Sequence, residues 1–174
     1  SVINNFRNEE DFKMKRIIAL LMTTVMMFSL AACGNTGSGE EVKEPETVGE
    51  FLRQDFVTNS EGSAQEVVDR LIQNEILPFE AATMPVEPGL LTGFDNAEIT
   101  GFKEGVMFAP MMGTIPFVGY VFVLEEGADV DAFTKTLEDN ANLRWNICTE
   151  AEELVVEAEG NTVFFVMCPA QFEE

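Results

Sequence analysis

The chain has 174 residues, with 10 basic against 31 acidic side chains and a formal net charge of −21. Hydrophobic residues make up 46% and charged residues 24%, which suits one modest domain with a core rather than a disordered chain. The acidity excludes the basic footprint that nucleic acid requires, and the absence of histidine excludes Ser-His and Cys-His pairs and imidazole metal ligands.

The first informative segment begins at Met14. Lys15 and Arg16 precede the uncharged run Ile17–Leu30, which gives way to Ala31 and Ala32. A positive start, an apolar middle and small residues before a cut are the parts of an export signal. Ile17–Ala32 is shorter than the roughly 20 residues that a spanning helix needs, which favours cleavage over a permanent span. Leu30-Ala31-Ala32-Cys33 resembles the lipobox of bacterial lipoproteins. In that family a diacylglyceryl group is attached to the cysteine thiol and a dedicated peptidase cuts before it. The resemblance implies cleavage between Ala32 and Cys33, a lipid on Cys33, and attachment to the outer face of the cytoplasmic membrane. Two acyl chains hold where one would exchange. Residues 1–13 carry Glu9, Glu10 and Asp11 where a signal carries positive charge. They are expected to be a translated upstream leader, with Met14 as the start and 14–32 as the signal.

Gly34–Glu46 is rich in Gly, Ser, Thr, Glu and Pro. Residues 33–46 therefore read as a flexible tether spanning about 20 Å on random-coil scaling. Residues 47–174 read as a single α+β domain. Beyond Cys33 the basic residues are Lys43, Arg53, Arg70, Lys103, Lys135 and Arg144, so the acidic body is repelled by anionic head groups.

Thr47-Val48-Gly49-Glu50 has the form of a capping box and predicts a short helix over Phe51–Phe56. A second box, Ser63-Ala64-Gln65-Glu66, opens a helix predicted over Ala64–Glu75, with Val67, Val68, Leu71, Ile72 and Ile76 as its apolar stripe. Pro78, Pro85 and Pro88 predict a loop closed by Gly89. Strand character follows at Ile99, Phe102, Val106 and Phe108, with Lys103-Glu104-Gly105 a turn or bulge. Phe117–Leu124 predicts a strand buried on both faces. Asp129 suits the cap of a helix whose inner face is Val130, Phe133, Leu137 and Ala141, with Lys135 and Asp139 paired outside and Leu143 and Trp145 anchoring its end. Gly160-Asn161 is a two-residue hairpin turn between Leu154–Glu159 and Thr162–Cys168. In that register Leu154, Val156, Ala158, Val163, Phe165 and Met167 form an apolar face. The opposite face, with Val155, Glu157, Glu159, Thr162, Phe164 and Val166, is mixed and expected to be half wet or to meet a partner. The whole predicts an antiparallel sheet with helices packed on one face, a two-layer sandwich.

Export permits a disulfide, and the register places Cys168 opposite Glu153, so a Cys148–Cys168 bridge requires Thr149–Glu152 to fold back. The alternative is a pair of small buried hydrophobes. Met107, Met111 and Met112 offer thioethers of the kind Cu(I) accepts, but no cysteine stands beside them, and packing by adaptable methionines competes. A third reading treats Met107, Phe108, Met111, Met112, Ile115 and Phe117 as a contact loop wherever it is left exposed. Glu125–Asp131 is the densest acidic turn; it lacks EF-hand spacing and reads as a solvated helix start. Beyond Cys33 the serines are Ser38, Ser60 and Ser63, which supply no nucleophile constellation. No catalytic residue, cofactor or metal is expected.

Glu98–Phe102, Gly113–Tyr120, Leu143–Cys148 and Val163–Met167 are similar to segments of the small lipoproteins of gut Firmicutes. That family has no established activity, so the resemblance implies no catalytic or ligand residues. The first expectation is a lipid-anchored, non-enzymatic binding or interaction module at the cell surface, with a protein partner or small ligand. The alternative is a small-ligand or cation-binding lipoprotein serving uptake. A carboxylate-dependent hydrolase comes third, and needs two acids facing each other across a pocket.

Overall fold

The computed structural model describes residues 44–112 and 114–172; the expected leader, the export signal and Cys33 lie outside them, as does most of the tether. Thr47 starts helix α1 (Val48–Asn59), its hydroxyl accepting the Glu50 amide at 3.3 Å. Glu50 reaches one residue further back than a capping box requires, accepting the Glu46 amide at 2.7 Å. Because these bonds satisfy amides left open at a helix start, α1 begins earlier and runs longer than the predicted Phe51–Phe56. The second box closes as predicted and opens α2 (Ala64–Leu71), with the Glu66 carboxylate accepting the Ser63 amide at 2.9 Å. That helix stops short of the predicted Glu75. Asn74 accepts the Ile76 amide and donates to Asp55, both at 3.0 Å, while the Gln73 and Asn74 amides turn to carbonyls three residues back.

Five strands form the main sheet: β1 (Ala81–Pro85), β4 (Phe102–Pro110), β5 (Val118–Leu124), β6 (Glu153–Glu159) and β7 (Thr162–Cys168). Their spatial order is β1-β4-β5-β7-β6, antiparallel at every junction. A separate pair joins β2 (Gly89–Leu90) to β3 (Glu98–Ile99). β1 lies inside the segment predicted as a loop, and its Pro85 is tolerated because β1 is an edge strand. The predicted irregularity in β4 is a register shift between Phe102 and Glu104. β5 is central and buried on both faces, as predicted. Its Gly119 lies opposite Phe108, whose ring covers it so closely that a Cβ there would stand 2.3 Å from a ring carbon. The hairpin register also holds, with Glu159 opposite Thr162 and Glu153 opposite Cys168. Gly160 takes a φ of 59°, which favours glycine in such turns. Asp129 caps α3 (Val130–Asn140) by accepting the Ala132 amide at 3.0 Å, and Lys135 meets Asp139 at 2.9 Å.

The α+β class and the antiparallel sheet are as expected; the layering is different. Helices cover both faces of the sheet, not one. Leu52 and Phe56 of α1 and Val67, Val68 and Leu71 of α2 pack on Val106, Phe108, Val121, Phe164 and Val166. Phe133 and Leu137 of α3 pack on Tyr120, Phe122, Val163, Phe165 and Met167 across the sheet. The hairpin face expected to be half wet or to meet a partner is roofed by α1: Phe56 stacks on Phe164 at 5.4 Å, and Arg53 meets Glu157 at 2.8 Å. A sheet with apolar side chains on both faces needs a layer against each.

Candidate functional site

One end of the sheet gathers the expected contact loop and both cysteines of the body. β1 begins there, β4 ends, β5 begins, β7 ends and β6 begins. The chain enters the body at the same end: the Val48 amide donates to Ala170 O at 3.0 Å, and the Ala170 amide donates to Glu152 at 2.9 Å. Glu153 serves the start of α1 from another element, accepting the Gly49 amide at 3.1 Å.

The β4–β5 connection splits the six expected contact residues. Phe108 and Phe117 are buried in the core under α1 and α2, Ile115 packs against the same core, and Met107 packs half-buried on the α3 side. Met111 and Met112 project from the surface, 58% and 87% exposed. The base of this connection is braced. Phe117 meets Phe108 at 5.6 Å and Phe79 at 5.1 Å, and Phe79 meets Phe172 at 5.7 Å. Met111 donates its amide to Glu80 O at 3.0 Å, and the Thr149 hydroxyl donates to Thr114 O at 3.0 Å. That last bond ties in the turn that carries Ile147, which is 99% exposed. Sequence reasoning missed Ile147, since one isoleucine between Asn146 and Cys148 belongs to no periodic pattern.

Cys148 and Cys168 are not bridged: both thiols are free, the first exposed and the second buried. The correction follows from the layering. Cys168 belongs to the core under α1, whereas the segment carrying Cys148 returns from the α3 side, with Leu143, Trp145 and Ala151 in that other core. Burial, followed by the charge of Glu153 with its oxygen 3.9 Å away, pushes the Cys168 thiol well above its usual range. It stays protonated and is a poor nucleophile.

Asp129 of the acidic turn is occupied as the α3 cap, which fits a solvated helix start. An open depression of about 460 Å³ lies between α1 and α2, lined by Thr58, Asn59, Glu61, Gly62, Glu66 and Arg70. Its charged groups hold the connection together: Arg70 donates to Asn59 O at 3.1 and 3.0 Å and also to Glu61 O, while Glu66 is bound to Ser63. Among the described residues no cluster of three or more Cys, Asp or Glu has the geometry to hold a metal, and no helix is long and apolar enough to cross a membrane. No protein-family model, curated protein or solved structure matches the chain.

Proposed function

We propose that the chain is a bacterial lipoprotein of the kind found in gut Firmicutes, held by a lipid on Cys33 outside the cytoplasmic membrane, whose body acts by binding. The observation that carries this reading is the order of parts from Met14: charged start, apolar run, Leu30-Ala31-Ala32-Cys33, polar tether and then a folded body. The body contributes support of a second kind. Glu66, Asp129 and Glu153 are engaged at helix starts and Glu157 in an ion pair, so these carboxylates serve the fold. Labelling cells with a palmitate analogue tests the anchor: the chain carries label and sediments with membranes, and Cys33→Ser abolishes both. Unlabelled, full-length chain in the cytosol would overturn the reading. Binding is tested by capture from detergent-solubilised membranes after crosslinking; recovery of the chain alone counts against a protein partner.

The acid excess favours a second reading, a cationic ligand taken up from outside. Among the described residues only Arg53, Arg70, Lys103, Lys135 and Arg144 offset the carboxylates. This reading expects a melting temperature that rises with Ca2+ or a cationic peptide, because binding the native state stabilises it.

A further inference from the structure

We infer that the open edge of β6 takes up an extended basic peptide as a further strand of the sheet. The inference deepens the cationic-ligand reading and rests on it for the sign of the partner's charge. β6 ends one side of the sheet, and among the described residues its one strand neighbour is β7. α1 packs on one face of β6 and α3 on the other, which leaves the edge between them. In an antiparallel ladder alternate residues turn N–H and C=O towards the neighbour, and those between turn them away. The two-residue turn makes Glu159 and Thr162 a bonded pair, so the outward residues are Leu154, Val156 and Ala158. The Ala158 amide agrees, since it donates to the Glu157 carboxylate at 3.3 Å and not to β7. Among the described residues nothing bonds to the outward groups of Leu154 and Val156. An unpaired row of this kind is a template for another strand.

The opposite edge is less open to the same partner. Val86 and Met111 donate to Gly105 O and Glu80 O, which turns Ala81, Thr83 and Pro85 outward on β1, and Pro85 has no N–H to give. β6 contains no proline. Charge then selects the occupant. Glu153, Glu157 and Glu159 lie on the α1 side of β6 and meet one ion-pair partner among the described residues, Arg53. Two copies of β6 paired antiparallel about Val156 would satisfy every outward group. The Glu153 of each copy would then face the Glu159 of the other, and like charges directly opposite are unfavourable. Lysine or arginine at those positions turns the repulsion into attraction. A strand with basic side chains towards the glutamates and apolar ones beside Leu154, Val156 and Ala158 suits both sides of the edge.

The test uses the full chain in detergent micelles and the synthetic peptide Lys-Val-Lys-Val-Thr-Val-Lys, blocked at both ends. Paired antiparallel with its fourth residue opposite Val156, it sets lysines opposite Glu153, Glu157 and Glu159. Its fourth amide then points at β6 and its fifth points away. Affinity is expected to weaken with salt. It is expected to fall at least about tenfold when the fourth amide is N-methylated and to be unchanged when the fifth is. Amide hydrogen exchange slows at Leu154 and Val156 when the peptide binds, and not at Ala81 or Thr83. Val156→Pro removes an outward amide without touching the β7 ladder and abolishes binding, with Trp145 emission verifying the body; the methylated pair gives the same answer on the unaltered chain. Equal affinity for the two methylated peptides overturns the inference, because charge alone then holds the peptide, and leaves the cationic-ligand reading standing. A chain whose melting temperature rises with Ca2+ but that binds no such peptide also overturns the inference alone. No response to either refutes the cationic-ligand reading and the inference with it. Slow exchange at Leu154 and Val156 without peptide, increasing with protein concentration, overturns the inference and gives the edge to a second copy.

Discussion

Replacing Gly119 by alanine adds one methyl group at the centre of the sheet. The backbone there is not in the left-handed region, so alanine is conformationally permitted and the effect isolates packing. The added carbon would lie 2.3, 2.5 and 2.8 Å from three carbons of the Phe108 ring. Ordinary carbon contacts are about 3.5–4.0 Å, so the ring has to retreat by about 1 Å. Phe108 is fully buried and meets Phe117 at 5.6 Å, which leaves it little room. Overpacking of this kind costs about 1–3 kcal/mol, against a gain of roughly 0.5–1 kcal/mol from replacing glycine within a strand. The net loss is about 1–2 kcal/mol. In a Phe108→Ala background, itself lower by about 3–5 kcal/mol, the obstacle is gone and Gly119→Ala becomes neutral or slightly stabilising. Equilibrium urea unfolding read by Trp145, the only tryptophan, measures the four species of the cycle. A coupling energy of about 2 kcal/mol is expected. Additivity within about 0.5 kcal/mol, or stabilisation by Gly119→Ala in the native background, would refute the reasoning.

Phe56→Ala, which strips the ring stacked on Phe164, is expected to cost about 3–5 kcal/mol in the same urea assay; a loss below about 1 kcal/mol would mean that α1 does not roof that face. The Ser63 bonds hold the Glu66 carboxyl below its ordinary value of 4.5. A lowered folded value means that the contribution is present above 4.5 and is lost as pH falls through the folded value. The stability gap between the native chain and Glu66→Gln should therefore close on acidification, and a gap unchanged by acid would exclude the box. Burial raises Tyr120 above 10.0 and Cys168 above 9.0. Their contribution is present below those unfolded-chain values and is lost as pH rises past them, when the unfolded chain gives up protons that the native one keeps. Alkaline unfolding followed by Trp145 should shift to higher pH in Cys168→Ala; an unmoved curve, with stability otherwise matched, would count against the coupling.

Features encoded by neighbours in the chain were readable. Ser63 and Glu66, Asp129, the Lys135–Asp139 pair and the Gly160-Asn161 register all rest on contacts within a few residues. The layering was not, because it depends on contacts of long sequence separation. Glu157 makes its hairpin face look wet, yet Arg53 arrives from α1 to meet it, and Phe164 lies beneath Phe56. β1 escaped for a different reason: Ala81-Ala82-Thr83-Met84-Pro85 has no alternation and a terminal proline, since an edge strand with exposed side chains needs neither. The candidate site was half legible. The apolar run from Met107 to Phe117 was visible, but only the Phe108–Gly119 pairing and the Phe79, Phe108, Phe117 cluster separate its inward residues from Met111 and Met112.

β7 comes last among the described strands in sequence yet lies inside the sheet, between β5 and β6, and gives alternate side chains to both cores. A nascent polypeptide that has not emerged past Thr162 thus offers neither α1 nor α3 a finished surface to dock on. Assembly waits until that strand has been made, as expected where distant pairings dominate. A premature stop upstream of that strand would leave both cores without their Phe164, Val166, Val163, Phe165 and Met167 side chains and the β5 edge unpaired.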